Sequence, residues 1–311
     1  MLEVTVQDTR RHAPSELDPY WQESFFMGWY DARNRCGGHH HISLCPYLNL
    51  AHVWSFLVVD GKVVARSQEP ALPLPSDDFD DMRLGVLRFV AGDTLRGLDL
   101  TVEDQAILNI SFSGYSDPVC LDFNTGGLKL GKHHYESMGK VTGTLTHDGR
   151  EIPISGSAWH DHSWGPRKLN SHKSGRYFWA AFGDDLAFSI YGIDDASGKN
   201  RFGYVLDNGT VHPIADANFG AIVADDGVSP QGCDASIWTR SGRGYRVTGR
   251  ADSFALVGGS GWADGGYFFG MNGLMRYACG GRLGEGLFEL TELRSPTEAQ
   301  RAELNLGPAD A

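Results

Sequence analysis

Hydrophobic and polar residues alternate with a period of two over many short stretches of the chain. This period places successive side chains on opposite faces of an extended strand, so each stretch predicts a β-strand with a buried face. Ten such stretches run through the sequence, at 53–59, 84–90, 98–102, 107–112, 141–146, 177–182, 186–193, 219–223, 245–247 and 267–269. The pattern predicts a nearly all-β protein.

Turn sequences separate the predicted strands. An Asp-Gly or Asn-Gly dipeptide supplies the positive φ angles of a tight hairpin, and such dipeptides stand at 60–61, 148–149, 208–209 and 226–227. Glycine accounts for 40 of 311 residues, nearly twice the usual ~7%, which suits many turns and bulges. Strands spaced in this way predict antiparallel sandwiches or barrels.

Helical signals are few and short. Residues 18–27 predict a short helical turn, and the stretch 295–298 (SPTE) has the pattern of a capping box with proline at the first helical position. That box predicts a short helix through about Leu304. Loops are expected at 69–81, which is rich in proline and acidic residues, and at 167–175, which is basic and polar.

Length, charge and cysteine content narrow the class of protein. A chain of 311 residues is long enough for two domains. Its net charge of −12 argues against nucleic acid or an anionic membrane as the main partner. Five widely spaced cysteines without a CxxC pair argue against disulfides or a structural zinc site. The polar N-terminus and the lack of a long apolar run predict a cytoplasmic protein without a membrane span.

The segment 159–164 (WHDHSW) concentrates two imidazoles, one acid and two indoles. Continued alternation from the preceding strand places His160, His162 and Trp164 on the inner face and Asp161 on the opposite face. Strand parity therefore favours the histidines as pocket residues. Chemistry favours Asp161, because neighbouring imidazoles or apolar walls can tune the pKa of a carboxyl group. A third interpretation is that these groups have only a structural role and fix the segment where the chain passes from one domain to the other.

Other histidines offer further candidates. In the run 39–41 (HHH), alternation places His39 and His41 on one face, where they line either a pocket or a polar edge strand. The run 133–136 (HHYE) lies in a loop-like stretch and is interpreted as structural. A metal ion could be held by the two histidines of the central segment with His39, His41 or Glu289 as third ligand. Nothing in the sequence brings that third ligand near, and no metal is predicted.

Several catalytic motifs are missing from the sequence. It has no GxGxxG loop, no phosphate-binding loop and no GxSxG elbow. Dinucleotide redox chemistry, phosphoryl transfer and serine hydrolysis are therefore disfavoured, and no cofactor is predicted.

The stretch 156–167 (GSAWHDHSWGPR) resembles the central motif of the AttH/hydroxyneurosporene-synthase-like proteins. These include carotenoid 1,2-hydratases, kievitone-hydratase-like enzymes and fungal Diels–Alderases. The stretch 37–46 (GGHHHISLCP) looks like the early strand of that family. The stretch 281–289 (GRLGEGLFE) looks like its closing strand, which often ends in glutamate.

The resemblance implies a fold and a kind of chemistry. It implies two lipocalin-like antiparallel β-barrel or sandwich domains, which we place at 1–157 and 158–311, with the motif 159–167 at their junction. It also implies a hydrophobic pocket and a reaction without a redox cofactor, such as hydration, dehydration, cyclisation or a pericyclic reaction of an apolar substrate.

Our leading hypothesis is a cofactor-independent hydratase, dehydratase or cyclase, that is, a lyase or isomerase acting on a terpenoid-like alkene. Asp161 would donate the proton, tuned or relayed by His160 and His162, in a dry pocket whose aromatic walls stabilise a cation. The alternatives are a pericyclase or isomerase of a natural-product pathway, a non-catalytic lipophile-binding protein and a metal-dependent enzyme. Substrate contacts are predicted at Trp159, Trp164, Tyr177, Trp179, His39, His41 and Glu289.

Overall fold

Strands form almost all of the regular structure, which confirms the predicted all-β class. The structure, a computed structural model, describes residues 4–14, 18–124, 127–168, 171–227, 229–260, 267–292 and 296–304. Its strands are β1 (Trp21–Asp31), β2 (Cys36–Cys45), β3 (Leu50–Val59), β4 (Lys62–Pro73), β5 (Met82–Leu84), β6 (Leu87–Ala91), β7 (Gly97–Glu103), β8 (Ile107–Gly114), β9 (Val119–Cys120), β10 (His133–His147), β11 (Arg150–Pro166), β12 (His172–Ala181), β13 (Leu186–Asp195), β14 (Gly198–Asp207), β15 (Thr210–Val223), β16 (Pro230–Thr239), β17 (Gly244–Ser260), β18 (Tyr267–Cys279) and β19 (Arg282–Glu292).

The strands form two separate antiparallel units. The first is an eleven-stranded sheet in the order β4-β3-β2-β1-β11-β10-β8-β7-β6-β5, with β9 paired to β10. The second is a closed barrel of β12 to β19 in chain order. The predicted domain boundary at 157/158 falls inside β11, which pairs with β1 as far as Pro166. The change of sheet comes between Pro166 and His172 instead, because β11 stays in the first sheet over its whole length.

Apolar side chains fill the inside of each unit and also the contact between the two. Met27 and Trp29 lie in the core of the first sheet, and Phe178 lies in the core of the barrel. A further cluster joins the outer faces of both units, with Trp159 from β11 packed against Tyr177 of the barrel. Burying one such side chain is worth about 1.5–3 kcal/mol, so this contact holds the two units together.

Burial of both faces of β1 explains why the sequence pattern around residues 18–27 predicted a helical turn where the structure has a strand. The helix predicted there is wrong, because this stretch leads into β1, which is buried almost throughout. One face of β1 packs into the first core and the other faces the barrel, so both faces are apolar and the alternation of a half-exposed strand disappears.

Turns formed largely where the sequence indicated. Asp60, Asp148 and Asn208 adopt positive φ angles, each followed by a glycine that does the same, at the tips of hairpins. The single strand predicted over 84–90 is instead split into β5 and β6, because Gly85 turns the chain with a φ of +54°.

The only α-helix of the described residues is α1 (Glu298–Glu303), near the predicted position. Its N-cap is Thr297, which accepts a hydrogen bond from the backbone of Gln300, while Gln300 closes the capping box. Ser295 of the predicted box lies outside the described residues. Two short 3-10 helices occur at Val6–Thr9 and Pro46–Leu48. No helix of the described ranges is long and apolar enough to cross a membrane.

One glycine of the barrel has no room for a side chain. Gly203 in β14 has a φ of +134°, and a Cβ atom there would lie 2.1 Å from the carbonyl oxygen of Ser189. We expect Gly203→Ala to lower the free energy of unfolding by about 2–3 kcal/mol, measured by urea denaturation. Gly220→Ala is the matched control, since no atom lies within 4 Å of its added Cβ. Equal stability of the two variants would contradict the expectation.

Candidate functional site

A cavity of about 190 Å³ lies between the first sheet and the barrel. Strands β1, β2, β10 and β11 contribute one wall, and β12, β13 and β19 contribute the opposite wall. Most of its surface is apolar and aromatic, from side chains that include Phe26, Trp54, Phe123, Leu130, Trp159 and Ile193. The cavity therefore lies outside both units, at the contact of their outer faces.

Strand register brings the polar residues of the first wall into one row. Asp161 of β11 lies directly opposite Phe26 of β1 and Glu136 of β10. Phe26 in turn lies opposite His41 of β2, and His41 opposite Trp54 of β3. Residues opposite one another in adjacent strands share a face, so this row presents Asp161 to the cavity beside the aromatic ring of Phe26.

A second row comes from the barrel. Tyr177 of β12 lies opposite Tyr191 of β13 on one side and Glu289 of β19 on the other. Glu289 lies opposite Asn272 of β18. Tyr177, Tyr191 and Glu289 line the cavity, and the two tyrosine rings stack with centroids 4.2 Å apart. The cavity is thus bounded by one row from each unit.

The central histidines lie on the other side of β11 from the cavity. His160 packs against Phe25 and Phe112 in the core of the first sheet. His162 is fully buried in the same region. Alternation separated the two faces of β11 correctly, but the face pointing inward carries the core and the outward face carries the cavity. The prediction that His160 and His162 face the pocket is therefore wrong in its geometry, and Asp161 occupies that place.

Six of the ten predicted site residues line the cavity and four do not. Trp164 stacks on His12, with ring centroids 3.7 Å apart, beside a different cavity. Trp179 packs within the contact between the units. The metal site considered from the sequence is not assembled, because its two central histidines are separated from the other candidates by the sheet. The six lining residues are Trp159, Asp161, Tyr177, His39, His41 and Glu289.

Asp161 combines a largely apolar environment with a carboxyl group that receives no hydrogen bond from the described residues. Burial raises the pKa of Asp161 well above its ordinary value, the nearby Glu136 charge raises it further, and Arg167 opposes the rise. Within the described part of the chain no group donates a hydrogen bond to this carboxyl. Asp161 therefore holds its proton to higher pH than an ordinary aspartate and is free to donate it to a ligand.

Arg167 is one of two arginines that line the cavity. Its Nη2 donates hydrogen bonds to the hydroxyl of Ser163 and, at 3.2 Å, to that of Ser24. These two hydroxyls lie 2.8 Å apart on adjacent strands. The contacts fix the guanidinium at the cavity wall, where its positive charge limits the rise in the pKa of Asp161.

A chain of hydrogen bonds crosses from the first sheet to Glu289. The Nε1 of Trp54 donates to the Nε2 of His39 at 3.0 Å, so that nitrogen is an acceptor. The Nδ1 of His39 then donates to the Oδ1 of Asn272 at 2.9 Å. The Nδ2 of Asn272 donates to Glu289 at 2.8 Å. Burial lowers the pKa of His39 to about 3, which keeps this ring neutral, and each hydrogen bond of the chain has one donor and one acceptor.

Glu289 is a second carboxyl group with an altered proton affinity. Burial raises its pKa to about 7, and the hydrogen bond from Asn272 opposes the rise. A carboxyl group that titrates near neutral pH can accept or release a proton at working pH. The cavity thus contains two acids held by different units, one of them without a hydrogen bond from the described residues and the other oriented by an amide.

The free energy of unfolding of the wild type should contain a contribution from Glu289 that is lost as the pH rises from about 4.5 to about 7. We expect this pH-dependent loss to be absent from Glu289→Gln. The folded state holds the Glu289 proton up to a pKa of about 7 and the unfolded state only up to 4.5. The contribution of Glu289 to the free energy of unfolding is therefore fully present below pH 4.5 and is lost, by about 3 kcal/mol, by the time the pH exceeds the folded value.

Urea denaturation at pH 5 and pH 8 measures this difference between variant and wild type. Glutamine retains an oxygen for Asn272, so the fold should be intact. Glu298→Gln, on the exposed surface of α1, is the control. If Glu289→Gln keeps the pH dependence of the wild type, the carboxyl group does not titrate in this range.

Glu136 organises a buried cluster next to the cavity. It accepts hydrogen bonds from the hydroxyls of Ser189 and Tyr191, and its Oε1 lies 3.0 Å from the Nε2 of His134. These contacts tie β10 of the first sheet to β13 of the barrel. The cluster supplies the negative charge that raises the pKa of Asp161.

Several polar atoms at the cavity have no hydrogen-bond partner in the described structure. They are nitrogen atoms that a bound molecule could contact, on the side chains of His41, His134, Trp159, Arg167 and Arg176. Because a buried polar group without a partner costs about 1–3 kcal/mol, their concentration at one cavity indicates a binding site.

Sequence reasoning missed several lining residues. His134 was interpreted as structural, whereas it belongs to the cavity wall. Arg176 and Tyr191 were not proposed as site residues, although the alternation of 186–193 places Tyr191 on the same face as Ser189. Arg167, at the end of the central motif, was not predicted as a site residue. These residues needed knowledge of which outer faces meet.

Comparison with known proteins identifies the fold. A search of curated protein sequences finds no match to the chain. A protein assigned as AttH from Nitrosomonas europaea superposes with a TM-score of 0.60 at 16% identity, covering 88% of this chain and 92% of that chain. Kievitone hydratase from Nectria haematococca gives 0.61 at 14% identity, covering 87% and 89%. CghA gives 0.60 at 11% identity, covering 90% of each chain.

These similarities confirm the predicted resemblance to AttH-like proteins at the level of the fold. A family model described as Domain of unknown function (DUF7064) matches residues 5–294, which include both units and every cavity-lining residue. The chain therefore belongs to the family described as Domain of unknown function (DUF7064).

Proposed function

We propose that the protein is a hydratase or dehydratase that moves a proton between Asp161 and a hydrophobic alkene in the cavity. The observation that carries the proposal is the Asp161 carboxyl, which has a raised pKa and no hydrogen bond from the described residues, among aromatic walls. An acid that keeps its proton in a dry, apolar site is suited to protonate a carbon–carbon double bond.

The two carboxyl groups can act as the acid and the base of a hydration. Asp161 donates its proton to one alkene carbon, and the cation that forms on the other carbon faces Phe26, Trp159 and Tyr177, whose ring faces attract positive charge. Water adds to this carbon and loses a proton to Glu289, whose pKa of about 7 suits a base. Proton return from Glu289 to Asp161 through water restores the starting state, and dehydration is the reverse sequence.

The walls support an apolar substrate with at least one polar group. Aromatic and aliphatic side chains cover most of the cavity, while Arg176 and His41 each offer a nitrogen without a partner in the described structure. A terpenoid-like molecule with a hydroxyl or carbonyl group matches this arrangement. Kievitone hydratase has the same fold and a name that states hydration, which supports the capacity of this fold for such chemistry.

Solvent labelling tests the proposal directly. The protein is incubated with a panel of apolar alkenes in H₂¹⁸O and, separately, in D₂O, and products are analysed by mass spectrometry. A hydratase incorporates one solvent oxygen and one solvent hydrogen per product molecule. A panel that yields products without solvent atoms would overturn the proposed reaction.

A pericyclase is the second candidate. The nitrogen atoms of His41 and Trp159 can bind a carbonyl oxygen of a polyene and polarise it, while the shape of the cavity aligns the reacting carbons. This reaction needs no strong acid, so its rate should be independent of pH and its product should contain no solvent atom. Binding of apolar ligands that are recovered unchanged would instead support a lipophile-binding protein.

A further inference from the structure

A second cluster of chemically active side chains lies away from the cavity, where the N-terminal segment crosses the first sheet. Glu23 of β1 and His162 of β11 are buried, and His12 of the N-terminal segment lies over them. One oxygen of Glu23, Oε1, lies 2.8 Å from the Nδ1 of His12 and 2.9 Å from the Nε2 of His162. One nitrogen of each ring and this oxygen all lie within 4.8 Å of one another.

The outward nitrogens of both rings face Asp8. The Nδ1 of His162 lies 2.9 Å from the carbonyl oxygen of Asp8. The Nε2 of His12 lies 3.6 Å from the carboxylate of the same residue. Histidines that bind metals in proteins donate their second N–H to a carbonyl or carboxylate in this way. The pattern is independent of the three converging atoms and points to the same kind of ligand.

A metal cation satisfies the nitrogen and oxygen atoms of this cluster better than hydrogen atoms do. Each ring nitrogen has an oxygen acceptor as its nearest partner, and the Tyr135 hydroxyl lies farther off, 3.5 Å from the Nδ1 of His162. Hydrogens alone satisfy these nearest contacts only when both rings carry two. The backbone N–H of His12 also donates to Glu23, at 2.9 Å, which crowds its Oε1 further. One divalent ion can bind the three converging atoms and leave each ring a single hydrogen directed at Asp8.

The geometry points to a divalent transition-metal site formed by His12, Glu23 and His162, with zinc the best match to two imidazoles and one carboxylate. Tetrahedral ligands at zinc bond lengths lie roughly 3.3 Å apart. The two ring nitrogens therefore need to retreat from Glu23 by less than an ångström, and the two nitrogens, which lie within 4.8 Å of each other, need to take up the same spacing. The partly exposed His12 can make this adjustment, since its segment lies at the surface.

Such an ion would anchor the N-terminal segment to the first sheet. A cavity of about 580 Å³ adjoins the cluster and is lined by His12, Asp8 and Trp164. It gives the ion a route from solvent. The face of β11 that holds this site is opposite to the one that carries Asp161, so metal binding is separate from the proposed proton transfer.

Equilibrium dialysis of chelator-treated protein with ZnCl₂, followed by elemental analysis, tests the proposal. Binding of Co²⁺ followed by its visible ligand-field spectrum reports nitrogen ligation in the same protein. We expect one zinc per chain, a melting temperature that rises with zinc concentration, and a cobalt spectrum typical of mixed nitrogen and oxygen ligands. His12→Gln should lose all three, and it should fold because His12 is partly exposed.

Matched variants separate the outcomes. His133→Gln removes another histidine that stacks on Trp164 but does not belong to the three converging groups, and this variant should bind zinc as the wild type does. Glu23→Gln keeps the shape of the side chain and should lose the metal. Asp161→Asn should bind zinc normally, so failure of the proposed reaction leaves this test unaffected. Zinc binding that is absent from the wild type, or unchanged in His12→Gln, would overturn the site and leave an ion-pair network only.

Discussion

Asp161→Asn lowers turnover at least about a hundredfold while the fold stays intact, if the proton for the reaction comes from this carboxyl. Asparagine has nearly the same shape but cannot donate an acidic proton. No hydrogen bond from the described residues holds the carboxyl, so the substitution breaks no contact in that part of the chain. The rate of solvent-label incorporation into the product measures the effect.

The same variant should be more stable than the wild type at neutral and alkaline pH. Because burial raises the pKa of Asp161, the folded state resists loss of this proton and the wild type loses stability as the pH rises through the folded value. Asparagine removes this loss, so the two proteins should become equally stable only below the ordinary pKa of aspartate. Asp99→Asn, on the exposed face of β7, is the control. Unchanged turnover together with unchanged stability would refute the role of Asp161.

Acid should unfold the protein through its buried histidines. Burial lowers the pKa of His160 and of His39 to about 3. The unfolded chain binds protons at these residues below pH 6.5 and the folded state does not, so stability is lost as the pH falls from 6.5 towards the folded value. Each residue contributes about 2 kcal/mol to this loss by pH 5.

His160→Leu is the sharpest test, because His160 lies between the rings of Phe25 and Phe112 and leucine fills a similar volume. We expect the difference in unfolding free energy between pH 7 and pH 5 to shrink by about 2 kcal/mol in this variant. Urea denaturation at both pH values measures it, with His147→Gln at the end of the β10–β11 hairpin as the control. If the variant is as acid-sensitive as the wild type, His160 is not a source of the effect.

Local pattern was enough to predict most strands and the two faces of β11. Alternation separated Asp161 from its neighbours His160 and His162 correctly, because strand parity depends only on adjacent residues. It could not tell which face carries a cavity. That depends on packing between residues far apart in sequence, such as Asp161 and Tyr177, which meet only when the outer faces of the two units come together.

Chemistry was a better guide to the cavity wall than strand parity was. Protonation of an alkene requires a positioned group that carries a proton, and this requirement singled out Asp161, which lines the cavity, even though parity favoured the histidines. The partners of Glu289 could not have been inferred in the same way. Asn272 donates to it from the neighbouring strand of the barrel, and His39 of the first sheet bonds to Asn272, and no local signal in the sequence links these residues.

The contact between the two units also governs how such a site can diversify. Asp161 and Glu289 belong to units with separate cores, so their spacing depends on how the outer faces dock and not on the geometry of any one strand. Gly28 of β1 lies at this contact, where an added Cβ would lie 3.0 Å from the ring of Phe26 and 3.5 Å from the indole nitrogen of Trp179. Larger side chains there would push against Trp179 and shift the barrel relative to the first sheet, which re-spaces the two acids and alters substrate preference without replacing any lining residue.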